Sequence, residues 1–193
     1  ILETGPNTLT SYSGFGKGIK FTKNQVDQKF YPDALGVYQY IFSSGSELWR
    51  VVGGQTFKYE STVTGKWRLV GAADRRGRSL TLSYDSDNSS GRLTKVENER
   101  QDGICLSYHS SGYLSKVEEQ NYSTKAVDFA YNSSGELTSV TAMPGHALEQ
   151  LVTYEYDSSG GHLIETVTDP IGNSLPTPKP RIRNYYDSSG NVS

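Results

Sequence analysis

The sequence predicts an all-β fold, a long antiparallel meander of hairpins that forms a curved sheet. Three observations predict it. The first is a recurring phrase, an aromatic residue followed by a polar turn ending in glycine. It reads Tyr84-Asp85 through Gly91, Tyr108-His109-Ser110-Ser111-Gly112, Tyr131-Asn132-Ser133-Ser134-Gly135, Tyr156-Asp157-Ser158-Ser159-Gly160 and Tyr186-Asp187-Ser188-Ser189-Gly190, with a weaker copy at Phe42-Ser43-Ser44-Gly45. The tyrosines are spaced by 24 (84 to 108), 23 (to 131), 25 (to 156) and 30 residues (to 186), the period of one repeated supersecondary unit. The second is strict alternation of apolar residues before each tyrosine. The third is a composition rich in tyrosine and poor in pure hydrophobes.

The elements of one repeat follow from local chemistry. Leu80, Leu82, Tyr84; Ile104, Leu106, Tyr108; Val127, Phe129, Tyr131; and Val152, Tyr154, Tyr156 recur with period two, the signature of a strand with one covered face. The Asp or Asn beside the tyrosine can hydrogen-bond the following backbone, and the glycine supplies the positive φ that closes a short loop. Gly112 and Gly135 are expected there. After each glycine a second strand runs through Leu93 to Val96, Leu114 to Val117 and Leu137 to Val140. These apolar pairs are three apart, so alternation fails and a bulge is expected, which would curve the sheet. A second turn, at Asp74-Arg75-Arg76-Gly77, Asp102-Gly103, Pro144-Gly145 and Asp169-Pro170-Ile171-Gly172, closes the other end of each unit.

The flanks are less regular. Residues 1–41 read as a glycine-rich opening β segment and 42–193 as the repeats, the last of them truncated. Ser13-Gly14-Phe15-Gly16-Lys17-Gly18 is glycine-punctuated, and Val37 to Phe42 is strand-like. Helix is scarce: Ala147 to Leu151 could form one turn, but a strand running into Tyr156 fits better. The three prolines of Leu175 to Pro180 impose an extended loop, because proline cannot serve a central ladder.

Composition narrows the function classes. The AVILMFWYC share is 34%, with 14 Tyr and 20 Gly. A sheet with one covered and one wet face suits this, since tyrosine packs its ring and leaves its hydroxyl in water. The net charge of −2 and the lack of a basic stripe interleaved with aromatics make nucleic acid an improbable partner. No apolar run approaches the roughly 18 residues of a membrane span. The chain opens at Ile1 without a signal-peptide pattern, and the missing initiator Met predicts a processed piece.

Each residue that could carry chemistry has a plainer reading. Cys105 is the only cysteine, on the parity opposite the apolar face, and reads as an ordinary strand residue. His109, His146 and His162 lie in or beside turns without partners at ligand spacing, so neither metal nor cofactor is expected. Asp85-Ser86-Asp87-Asn88-Ser89-Ser90-Gly91 resembles the start of a calcium loop, but its glycine comes one place late and Val96 stands where a bidentate Glu belongs. A turn insertion explains it better. Asn88, Asn121, Asn132 and Asn191 match the glycosylation acceptor pattern, as chance allows in a chain this rich in Asn and Ser. Tyrosines could stack on sugars, yet Tyr108, Tyr131 and Tyr156 sit on the apolar parity, which favours packing.

At Tyr84-Asp85, Tyr156-Asp157-Ser158-Ser159-Gly160 and Thr168-Asp169-Pro170-Ile171-Gly172-Asn173 the sequence resembles the RHS or YD-repeat family, which includes bacterial polymorphic toxins, shell components of insecticidal toxin complexes and teneurins. The likeness covers residues 42 to 193. The stretch Gly14-Phe15-Gly16-Lys17-Gly18-Ile19 is similar to the glycine-aromatic segment that precedes bacterial RHS repeats. The resemblance implies a meander spiralling into a hollow shell, a secreted or cell-surface setting, and partners that are flanking shell sequence, another chain or an enclosed toxin polypeptide. It implies a non-catalytic scaffold. The family's aspartate-dependent self-cleavage signature begins as Asp169-Pro170-Ile171-Gly172 does, but Asn173-Ser174-Leu175-Pro176 departs from the rest. The alternative is an extracellular adhesion or glycan-binding β module, since a fold does not fix a function.

Overall fold

A computed structural model describes residues 2–4, 7–12, 18–33, 38–62, 66–86, 91–157, 164–187 and 189–192. It is nearly all antiparallel β and divides into two units, Ile1–Gly103 and Ile104–Ser193. The first holds β1 (Leu2–Thr4), β2 (Thr8–Tyr12), β3 (Gly18–Lys23), β4 (Phe30–Pro32), β5 (Gln39–Ser44), β6 (Glu47–Val52), β7 (Gln55–Ser61), β8 (Trp67–Ala73), β9 (Ser79–Tyr84) and β10 (Leu93–Asn98). Each pairs with the next. Strand β1 also meets β8 at a single position, Leu2 opposite Trp67. One pair is a point of contact and not a ladder, so the sheet stays open. It nevertheless curls far enough to enclose Leu9, Phe21, Ile41, Leu48 and Tyr59, with Ile19, Phe30, Phe57, Trp67 and Leu69 packed around them.

The second unit follows with β11 (Gly103–Tyr108), β12 (Leu114–Glu119), β13 (Tyr122–Tyr131), β14 (Leu137–Ala142), β15 (Gln150–Tyr156), β16 (Ile164–Thr168), the single helical turn α1 (Pro170–Asn173) and β17 (Ile182–Arg183). It is a plain meander. Leu106, Val117, Val127 and Ala142 form one cross-strand row of its apolar face, and Phe129, Val140 and Val152 the next. Among its described residues Ala126 alone is a buried hydrophobic.

Bulges sit where the three-residue spacings place them. Thr94, Ser115 and Thr138 are the extra residues after Leu93, Leu114 and Leu137, and Glu165 follows Ile164 in the same way. Val70 is a fifth, after Leu69, which faces Tyr59. A repeat tyrosine stands opposite each pre-bulge residue: Tyr84, Tyr108, Tyr131 and Tyr156 in order. Tyr59, 25 residues before Tyr84, therefore belongs to an earlier repeat that its altered turn conceals in the sequence.

Two turn assignments are corrected. The turn assigned to Asp102-Gly103 spans Asn98 to Asp102, with Gln101 in the left-handed region at φ +64° and Gly103 already in β11. Asn98 accepts from the Arg100 and Asp102 backbones at 2.8 and 3.0 Å, which organises the loop without a glycine. Asp169 to Gly172 is a helical turn: Asp169 is the N-cap and accepts from the Gly172 N–H at 2.7 Å, and Pro170 is prearranged for the first turn.

Candidate functional site

The repeat hairpin is the chemical unit that recurs, and its turn is an Asx device. Asn132 Oδ1 accepts from the Ser134 and Glu136 N–H groups, both at 3.0 Å, and Gly135 N–H returns to the Asn132 carbonyl at 3.0 Å. Asp187 repeats this with Ser189 and Asn191, and Asp74 with Arg76 and Arg78. Gly112, Gly135 and Gly190 sit at φ +91°, +82° and +79°. Asp85 accepts from Arg92 N–H and pairs with its guanidinium, both at 2.8 Å. Gly91 is not in the left-handed region. It is needed for room, because a Cβ there would strike the Ser86 carbonyl and the Arg68 guanidinium. Asp157 closes β15, whereas Gly160 and the turn around it lie outside the described residues.

These bonds to the ionised form hold several carboxyls below their ordinary range. For Asp74 the largest cause is the Arg78 side chain; for Asp85 it is the Arg92 backbone N–H, and for Asp187 the Asn191 backbone N–H. All three accept hydrogen bonds from their own turns.

The tyrosines join one hairpin to the one before. Tyr84 Oη donates to the Leu69 carbonyl at 2.7 Å, Tyr156 Oη to Leu137 at 2.8 Å and Tyr186 Oη to Ile164 at 2.7 Å. Each acceptor is the residue just before a bulge, where the ladder is disrupted and the extra residue has no partner. Burial raises the Tyr84 and Tyr156 hydroxyl pKa values, so both stay protonated donors. Tyr131 differs: its ring stacks on Tyr113 at 5.0 Å between centroids, with His109 edge-on at 5.8 Å. Tyr108 lies opposite Leu114 on the apolar face.

Each unit has a polar face with ion pairs within or between strands, Lys58 with Glu47 and Lys95 with Glu97 in the first and Lys116 with Glu118 in the second. Cys105 lies on this face opposite Glu118. His109 Nε2 lies 3.1 Å from the Phe129 carbonyl, and His146 Nδ1 accepts from Leu148 N–H. Among the described residues no three His, Cys, Asp or Glu side chains are placed to hold a metal, and no helix is long and apolar enough to cross a membrane. His162, Gly14 to Lys17 and residues 87–90 of the calcium-like loop lie outside the described residues. Asp169 reaches Arg181 at 3.7 Å besides capping its helical turn, and Asn173 ties that turn to β15 through the Leu151 carbonyl at 2.7 Å.

The sequence reading missed a groove of about 410 Å³ over β6 to β9. Gly71, Ala73, Ser79 and Thr81 line it together with Trp49, Lys58, Arg68 and Tyr84. The Arg68 guanidinium stacks over Tyr84 at 4.0 Å and donates to the Ser86 carbonyl at 2.6 Å. Trp49, on the strand parity opposite buried Leu48, was the available signal.

No family model matches the chain, and no curated protein matches it. Among solved structures it is similar to a chain of "Crystal Structure of TcdB2-TccC3-TEV", with 17% identity and a TM-score of 0.49 over 95% of this chain and 9% of that one. At that level the likeness adds nothing to the strand pairings.

Proposed function

We propose that the chain is a non-catalytic segment of an RHS or YD-repeat shell that walls off or presents another polypeptide. The observation that carries this reading is the second unit, a meander of successive hairpins with a half-exposed apolar face and a tyrosine latch at Tyr156 and Tyr186. Such an array extends by adding units, each stabilised mainly by its neighbours. The partners on this reading are flanking shell sequence or another chain completing the sheet, and an enclosed toxin polypeptide, in a secreted or cell-surface setting. Light scattering on the 193-residue chain tests it. Concentration-dependent association is expected because unpaired strand edges recruit other strands; a monodisperse monomer at all concentrations would overturn the open-segment reading.

The groove with Trp49 favours the second reading, a glycan-binding module, because an indole face suits the apolar side of a sugar ring. A glycan array separates the two. Saturable binding abolished by Trp49→Ala would displace the shell reading, and an array without binding would leave it ahead.

A further inference from the structure

The curled first unit holds a cation among its apolar side chains. Arg50 lies on β6 opposite Ile41 of β5 and Phe57 of β7, both in or against the buried cluster. Its guanidinium carbon is 6.0 Å from the ring centre of Phe21, which has no exposed surface. Two polar side chains receive it. Arg50 Nε and Nη2 donate to Gln39 Oε1 at 2.8 and 2.5 Å, and Nη1 donates to Ser11 Oγ at 3.1 Å. Ser11 and Gln39 are 5% and 6% exposed, so both are part of the interior.

Neither partner carries a charge, and no ion pair to Arg50 exists among the described residues. A partly desolvated guanidinium is stabilised by a carboxylate where one is in reach, and none is in reach here among the described residues. The cluster is instead rich in donors. Arg50 has five N–H groups and three bonds account for three of them. The Gln39 carboxamide, whose oxygen accepts from the guanidinium, carries an NH₂ with two further donors, and the Ser11 hydroxyl has a proton of its own. Arg50 itself is only half-buried, which leaves a route from solvent.

We propose that Arg50, with the Gln39 amide and the Ser11 hydroxyl, forms an oxyanion-binding site inside the curled sheet. Its ligand is a carboxylate or phosphate group, and the planar guanidinium fork matches two oxygens of either. Sequence alone could not show this, because Ser11, Gln39 and Arg50 come from three strands. The site is independent of the shell reading.

Thermal melts of the full chain in sodium phosphate and in sodium acetate, against sodium chloride at equal ionic strength, test the site. Preferential binding to the folded state should raise the melting temperature of the first unit saturably, by about 10 °C once the anion exceeds its dissociation constant roughly a hundredfold. The two anions separate a phosphate receptor from a carboxylate receptor. Arg50→Met should lose the response, and Arg50→Lys should keep a weaker one for want of the planar fork. No shift in the wild type, or an equal shift in Arg50→Met, overturns the proposal. Should Arg50→Met fail to fold, the wild-type NMR signals of the Arg50 Nε–H and the Gln39 side-chain amide decide: saturable movement with either anion supports the site, and stationary signals overturn it.

Discussion

The two units are built from the same kind of strand yet store their stability differently. In the first, the meander curls until β1 meets β8, and side chains from β2, β3, β5, β6 and β7 touch across the enclosed space. Leu9, Phe21 and Ile41 are at most 1% exposed there. In the second, hairpins lie side by side, and a residue such as Phe129 or Val140 touches neighbours on its own face. One unit has a core of non-local contacts; the other has a ladder of near-neighbour contacts. The hairpin therefore sets strand and turn, while curvature decides whether a core exists.

Truncating the core should give the largest effect. Phe21→Ala is expected to destabilise the first unit by about 3–5 kcal/mol, the usual range for a buried phenylalanine. Phe129→Ala, on a half-exposed face, should cost about half of that or less. Chemical denaturation followed by hydrogen exchange in each unit compares them, and equal losses would mean that the second unit has a hidden core.

The turns come next. Gly135→Val places a branched side chain at φ +82°, which costs about 1–2 kcal/mol by itself, and its Cβ would run into the Tyr113 hydroxyl. Ser133→Ala should stay within about 0.5 kcal/mol. If both variants melt alike, the left-handed turn is not what holds the hairpin.

The tyrosine latch should be smaller and selective. Tyr156→Phe removes the donor to the Leu137 carbonyl and should cost about 1 kcal/mol. Tyr131→Phe keeps the stacking on Tyr113 and should be close to neutral. A reversed order in urea midpoints would show that the hydroxyl bonds do not couple the hairpins.

Acid should distinguish the units with the slightest contrast. Asp27, Glu47, Asp74, Asp85 and Glu99 of the first unit have lowered pKa values, and in the second only Asp187 is shown lowered among the described residues. A carboxyl depressed by folding contributes stability that is present above its unfolded pKa, near 4, and is lost as pH falls through the folded value. Melting temperatures should hold from pH 7 to about 5, then fall earlier for the first unit. Lys116 and Lys125 of the second unit are raised by Glu118 and Glu119, so that contribution is full below about pH 10 and lost above it. Identical acid profiles would remove this distinction.

Much of this was legible in the chain. Alternation at Val127, Phe129 and Tyr131 marked β13, and the spacing of Leu137 and Val140 marked the bulge at Thr138. The turn at Asn98 was not, because Gln101 occupies a position that glycine usually fills. The helical turn at Pro170 escaped for a similar reason: Asp-Pro-x-Gly suits a tight turn and a capped helix equally, and Asn173 bonding to β15 decides between them.

By itself, then, the sequence determined strand, turn and bulge, because the bonds that define them link residues within one repeat, as Asn132 to Glu136 or Tyr131 to Leu137. Tertiary structure decided the curl of the first unit, since curvature accumulates over eight strands and no single repeat contains it. It alone brought Ser11, Gln39 and Arg50 together, from positions up to 39 residues apart, and set a half-buried charge against a core that residue patterns describe as apolar.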